Sequence, residues 1–240
     1  NYNIAPSISP NGGKIAILSN KDGPMSIYLI SADNGKIIKK IVTGERNSEY
    51  EELHILKPGI TWSPDGNHIA FSAKSGNSDV LYIINASTYK REKIELPNIE
   101  GVFRPSWSPK GDKIAFIGNN GKSSDIYIYD RLTKEISAVT NDWYSEDHVS
   151  WFPDGDKLIF ISDRGDNLNG RDGYFDNQLD IYSLSLGTQN IIRLTDTPYN
   201  ESYPVISSDN ETIAYISDQS GINNIYLTDN NFLKSYPITN

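Results

Sequence analysis

The 240-residue chain contains no cysteine, which removes disulfides, thiolate nucleophiles and zinc-thiolate centres together. Histidine is nearly as scarce. His54, His68 and His148 are the 3 in the chain, and they fall at unrelated points with none of the close pairing that a metal site uses. Basic residues are in deficit, with 22 Lys and Arg against 31 Asp and Glu and a formal charge of -9. A surface that grips phosphates needs the opposite balance, so nucleic acid is not an expected partner. No apolar run approaches the ~20 residues of a membrane-spanning helix. No G-x-S-x-G elbow occurs, so a serine hydrolase has no nucleophile signature here. The chain opens on Asn1 without a charged start and an apolar stretch, and any export signal is expected to have been removed or cut off.

What the sequence does have is repetition. Ser9-Pro10-Asn11-Gly12, Ser63-Pro64-Asp65-Gly66, Ser108-Pro109-Lys110-Gly111, Phe152-Pro153-Asp154-Gly155 and Ser207-Ser208-Asp209-Asn210 are five copies of one short pattern. Their second residues are spaced 54, 45, 44 and 55 apart. The unit is therefore propeller-blade sized, about 44 residues, with two insertions of roughly ten.

The third copy shows the grammar best. Pro105-Ser106-Trp107 is followed by Lys113 to Ile117, Asp125 to Tyr129 and Glu135 to Val139, four short segments rich in Ile, Val, Tyr and Phe. Turn residues separate them, which predicts four strands, a to d, in each unit. The Pro-Asp-Gly pattern between a and b reads as a turn, with Pro fixing φ and Gly or Asn taking positive φ. Trp62, Trp107 and Trp151 recur before that turn and are expected to pack between neighbouring blades. Asp79, Asp125, Asp180 and Asn224 recur before strand c, and such blade-by-blade recurrence marks architecture before function. The repeat set expected to be structural is Pro10, Trp62, Pro64, Gly66, Trp107, Pro109, Gly111, Trp151, Pro153 and Gly155.

These residues resemble the TolB-like, WD-type propeller repeat, approximately P-x-W-S-P-D-G-x-x-I-A-F, then D-I-Y, then G-x-x-x-x-L-T. The resemblance covers nearly the whole chain. Copies two and three match closely, copy four keeps Trp151 to Gly155 and ends in Arg193-Leu194-Thr195, and copy five has lost both the Trp and the Pro. The fold it implies is all-β, a propeller of five four-stranded antiparallel blades in one domain over 1–240, with blades near 3–43, 58–97, 102–140, 147–195 and 203–240. A closed five-bladed ring is favoured because closure hides apolar blade faces; five blades of a larger ring is the alternative. Each copy runs a to d in order, so no strand is expected to be lent from one terminus to the other. Similar propellers occur in periplasmic TolB, beside peptidase-like domains of bacterial surface proteins, and as the non-catalytic part of prolyl oligopeptidase relatives. The resemblance thus implies a bacterial periplasmic or extracellular setting and a protein partner or neighbouring domain.

In a four-strand meander the b–c and d–a connections leave by one face, and both inserts are connections of that kind. The first, Thr43 to Pro58, carries Glu45, Arg46, Glu49, Tyr50, Glu51, Glu52 and His54. The second, Asp163 to Asn177, carries Asp163, Arg164, Asp166, Asn169, Arg171, Asp172, Tyr174, Phe175 and Asp176. Overlong loops on a repeat scaffold are where partner-specific surface is added, and their mixed charge and aromatics suit a polar protein interface. The second insert has enough oxygens to suggest calcium, but it fails EF-hand spacing and holds two Arg, so a turn-rich loop with no cofactor is the preferred reading. The expected function is a non-catalytic scaffold that binds through this face. Alternatives are an accessory propeller that gates substrate for a peptidase domain, and a small-molecule or glycan-binding propeller.

Overall fold

The computed structural model describes residues 2–44, 52–53, 57–166 and 178–239. All regular structure among them is β. The first sheet holds β1 (Asn3–Ile8), β2 (Lys14–Ser19), β3 (Ser26–Ser31) and β4 (Ile37–Val42) in that order. The second has its first strand in two pieces, β5 (Glu52–Leu53) and β6 (Ile60–Trp62), both paired with β7 (His68–Ser75), followed by β8 (Ser78–Asn85) and β9 (Arg91–Glu95). The third is β10 (Gly101–Trp107), β11 (Lys113–Asn119), β12 (Ser124–Asp130) and β13 (Ile136–Ala138). The fourth is β14 (Glu146–Trp151), β15 (Lys157–Ser162), β16 (Asp180–Ser185) and β17 (Ile191–Arg193), and the fifth is β18 (Glu201–Ile206), β19 (Thr212–Ser217), β20 (Asn224–Asp229) and β21 (Ser235–Pro237). These are the five antiparallel blades of a β-propeller, each completed from its own repeat. The extra piece β5 comes from the first insert.

The turn between the first two strands forms as its residues require. The amides of Gly12, Gly66, Gly111, Gly155 and Asn210 donate to the carbonyls three residues back, and all five residues take φ between 64 and 77°. Pro presets the first four of these turns, Ser208 stands in its place in the fifth, and Gly or Asn accepts the left-handed step. The serine adds a second tie, since the hydroxyls of Ser9, Ser63, Ser108 and Ser207 accept the amides of Lys14, His68, Lys113 and Thr212 at 2.9 to 3.0 Å.

A second device lies in the first strand. Ala5, Arg104, His148 and Tyr203 each sit three residues before its closing Ile or Trp, have φ of 50 to 53°, and mark a register shift against the second strand. Sheet two places Gly59 at that position, and a Cβ on Gly59 would lie 2.6 Å from Arg104 Cα and 2.6 Å from Pro105 Cδ.

The strands gather into two compact units, Asn1–Asn120 with Asp130–Thr133, and Gly121–Tyr129 with Lys134–Asn240. In the first, Ala16, Leu18 and Ile27 of sheet one pack on Ile69, Phe71 and Tyr82 of sheet two. In the second, Ile159, Ile161 and Ile181 of sheet four pack on Ile213, Tyr215 and Tyr226 of sheet five. The middle strands of sheets two, three and four are buried on both faces, whereas those of sheet five alternate buried with part-exposed residues; each large side chain that is fully buried contributes roughly 1.5–3 kcal/mol. Phe71–Tyr82, Phe160–Tyr182 and Tyr215–Tyr226 stack across those strands with centroids 5.4, 5.8 and 5.7 Å apart. Trp62 reaches into sheet one, its indole N–H donating to Ser7 O at 3.0 Å, and Trp107 lies 6.4 Å from His68 of sheet two. Packing between neighbouring blades, expected of the tryptophans, is what these two do.

Candidate functional site

Each insert joins its own sheet at the b–c end. In the first unit β5 pairs Glu52 with Lys74 and Leu53 with Ala73, at the end of β7 that runs into the turn before Ser78. A cleft of about 350 Å³ opens at the same end, lined by Ser75, Ser78, Val80, Lys93, Glu95, Leu96 and Pro97. Glu45, Arg46, Glu49, Tyr50, Glu51 and His54 lie outside the described residues.

In the second unit the insert leaves directly from β15, and four consecutive residues tie its root to the blade. Asp163 Oδ1 accepts the Ser145 amide at 2.9 Å. Arg164 turns inward and is 1% exposed. Its Nε donates to Ser162 Oγ at 3.2 Å, one terminal nitrogen donates to Glu146 Oε1, and the other lies 3.2 Å from Asp142 Oδ2. The guanidinium is walled by the rings of Tyr144, Phe160 and Tyr182 at 5.6, 5.9 and 5.8 Å. Gly165 O accepts the Tyr182 hydroxyl at 2.9 Å, and Asp166 pairs with Arg193 at 2.6 Å. A polar group in so apolar a setting is retained only when its hydrogen bonds are met, and a buried arginine needs carboxylates.

Glu146 is the centre of that satisfaction. Besides Arg164 it accepts Ser162 Oγ at 3.2 Å and Thr140 Oγ1 at 2.7 Å. Thr140 Oγ1 itself accepts the Ile126 amide at 2.8 Å, so the network runs from strand c of sheet three into the first strand of sheet four. Burial pushes Glu146 up to about 8, against the pull of Arg164 and with the push of Asp142. Burial also raises Asp125 and Asp163. The next junction repeats the frame: Thr195 Oγ1 accepts the Ile181 amide at 2.8 Å and reaches Glu201 Oε2 at 3.2 Å, and burial lifts Glu201 to about 7. Asp218 accepts the Asn200 amide at 3.0 Å, as Asp163 accepts that of Ser145. Arg164 has no such counterpart, because the residue after Asp218 is Gln219.

Three sequence-chosen residues of the second insert are thus described, and they part ways. Asp166 faces solvent. Asp163 is half-buried and belongs to the repeat frame. Arg164 corrects the expectation of a docking residue: it is a buried anchor, because Glu146 and Asp142 await it beneath a cage of rings. Asn169, Arg171, Asp172, Tyr174, Phe175 and Asp176 lie outside the described residues, and with them most of the segment weighed for calcium. Among the described residues no three His, Asp or Glu stand where they could share an ion. The His148 ring lies 3.8 Å from that of Tyr203, tilted by 51°. Sequence reasoning missed Glu146, Tyr144 and Glu201, although Thr140-Asn141-Asp142-Trp143-Tyr144-Ser145-Glu146 and Thr195-Asp196-Thr197-Pro198-Tyr199-Asn200-Glu201 share a Thr-x-x-x-Tyr-x-Glu pattern that could have exposed all three.

Residues 49–168, half of the chain, match the family described as TolB beta propeller domain. No curated protein matches the chain significantly. Among solved structures, the chain is similar to a TolB-type protein of Agrobacterium tumefaciens, with a TM-score of 0.80 and 20% identity over 98% of this chain and 80% of that one. It is similar to TolB of Acinetobacter baumannii with a TM-score of 0.75 and 19% identity, over 96% of this chain but 52% of that one. The propeller domain of the Trilobed protease of Pyrococcus furiosus is similar at a TM-score of 0.67 and 16% identity, over 99% of this chain and 69% of that one. At such identities the likeness is one of fold.

Proposed function

The chain belongs to the TolB beta propeller domain family, and on that premise we propose that it serves as a non-catalytic interaction scaffold in a bacterial periplasmic or extracellular setting. It binds a partner protein or an adjoining domain through the b–c and d–a face that bears the 43–58 and 163–177 inserts. The observation that carries this reading is the root of the second insert. Four successive residues, 163 to 166, are each tied to the blade, one through a fully buried arginine with no counterpart in the following blade. A solvated loop of no consequence needs no such anchor, whereas a binding loop works best when held at its base by a rigid scaffold.

The test compares the intact domain with a variant in which both inserts are cut to short turns, each immobilised and exposed to periplasmic and envelope extract. Capture of one protein by the intact domain alone, competed by a peptide spanning 163–177, supports the face. Equal capture by both forms removes the inserts from the binding surface.

A second reading has the likeness to the protease propeller in its favour: an accessory propeller that orients or gates substrate for a peptidase domain. Adding the domain in trans to a peptidase from the same envelope should then change the ratio of cleavage between short peptides and folded substrates. An unchanged ratio rejects it.

A further inference from the structure

The chain has 4 tryptophans, and one departs from the repeat. Trp62, Trp107 and Trp151 close the first strands of their sheets and are 6 to 7% exposed, whereas Trp143 is 67% exposed in the connection between β13 and β14. In the next such connection, which shares the Thr-x-x-x-Tyr-x-Glu pattern, the matching position is Pro198. Trp143 therefore stands outside the repeated frame, and blade architecture does not call for an indole there.

Its backbone is held from both sides. The Asp142 amide donates to Asp125 Oδ1 at 3.4 Å, Asp142 Oδ1 accepts the Tyr144 amide at 2.9 Å, and Asp142 Oδ2 lies 3.2 Å from the buried Arg164. Tyr144 is fully buried with its ring beside that guanidinium, and the Ser145 amide is tied to Asp163. One arginine thus fixes two connections at once, the loop that presents Trp143 and the root of the second insert. An aromatic side chain on a fixed backbone loses little freedom when a ligand covers it, which favours it as an interface anchor. The charges nearby select the ligand. Arg164 is already paired with Glu146 and Asp142. Arg193 faces Asp166, Asp180 and Asp196 at 2.6, 2.6 and 3.0 Å, three carboxylates to one guanidinium, and the Asp166 and Asp196 side chains are 91% and 80% exposed. Lys122, in the b–c connection of sheet three, is a further cation at this end of the unit, and the balance stays negative. Tryptophan is the ring best suited to a cation, and a carboxylate-rich rim draws one in from a distance.

Resting on the reading that this face binds a partner protein, we propose that Trp143 is its anchor and that the partner presents a basic segment, one of whose Arg or Lys side chains lies over the Trp143 ring.

Trp143 also supplies the assay. The other three indoles are buried, so acrylamide quenching of tryptophan emission reports chiefly on Trp143, and Trp143→Phe should remove most of the quenchable emission. The probe is a peptide of alternating Arg and Gly, titrated into the millimolar range at low ionic strength, where exposed charges are least screened. It should shield the indole from acrylamide, while a peptide of alternating Glu and Gly and a neutral cello-oligosaccharide should not. Trp143→Ala should weaken binding of the Arg peptide, read by titration calorimetry, about tenfold, and Trp143→Phe by less. Leu132→Ala, in the exposed turn between the outer strands of sheet three, should leave it unchanged. Both positions are exposed, and melting temperatures close to the wild type confirm that the variants fold. A folded Trp143→Ala that binds the Arg peptide as the wild type does, or equal shielding by the Glu peptide or the sugar, overturns the proposal. The envelope capture keeps the two readings apart. A protein lost on trimming the inserts but retained by Trp143→Ala overturns the anchor and leaves the face standing; equal capture by trimmed and intact forms removes the inserts, while shielding of Trp143 by the Arg peptide still upholds the anchor.

Discussion

Arg164→Met tests the anchor with the least change in shape. Methionine fills most of the channel between Tyr144, Phe160 and Tyr182 but leaves Glu146, itself 1% exposed, without its cation. Removing one partner of a buried pair typically costs about 3–5 kcal/mol, because the remaining charge is stranded. In a domain of this size each kcal/mol lowers Tm by roughly 2–4 °C, so a fall of about 6–20 °C is expected only well above the Glu146 range near 8, where the carboxylate is ionised with or without Arg164. The penalty should shrink in acid. Burial already lifts Glu146 to about 8, and without Arg164 its proton is held more tightly still, so below neutral pH a neutral carboxyl replaces the stranded anion. Urea unfolding followed by tryptophan fluorescence, run from about pH 5.5 to about pH 10, measures the loss at each pH. A loss that does not grow as pH rises past the Glu146 range near 8 would refute the claim that Arg164 holds the insert through a buried ion pair.

Three further outcomes follow from the same geometry. Glu146 is raised from an ordinary 4.5 to about 8 and Glu201 to about 7; the folded state therefore binds their protons more tightly, and its stability should fall as pH rises from 4.5 through 8. Glu146→Gln should flatten that slope in a series of thermal melts, and an unaltered slope would assign it to other groups. Gly59→Ala places a methyl 2.6 Å from the Arg104 backbone and should cost about 1–3 kcal/mol in urea unfolding, as overpacking does, whereas a cost indistinguishable from zero would mean the first strands can spread. Tyr182→Phe removes only the hydroxyl that holds Gly165 O, so it should cost about 1 kcal/mol and quicken tryptic cleavage after Arg171 several-fold more than cleavage elsewhere; uniform acceleration would point to global loosening.

The frame was legible because it is periodic. A turn that needs Pro and Gly, and strands that need β-branched and aromatic side chains, write themselves into every copy, and five copies average out the noise in any one. The fold class, the strand grammar and the Trp62 and Trp107 contacts were all within reach of that averaging. What lies between repeats was not. Glu146 looks like any surface glutamate until Thr140, Ser162 and Arg164 close round it, and these sit 6, 16 and 18 residues away. Arg164 misled for the same reason: in a charged loop an arginine reads as solvent-facing, and its burial depends on three rings contributed by separate segments. The left-handed residues of the first strand gave no warning either, since Ala, Arg, His and Tyr share no chemistry.

That last fact has an evolutionary side. Four unrelated side chains occupy one strained backbone position in four blades, so the strain belongs to the inherited scaffold and no single side chain is its cause. Mutation there trades one functional group for another against a constant backbone cost. Duplication of a blade would thus have copied an open slot, giving selection a row of positions in which charge, aromaticity and bulk could be exchanged while the surrounding sheet stayed as it was.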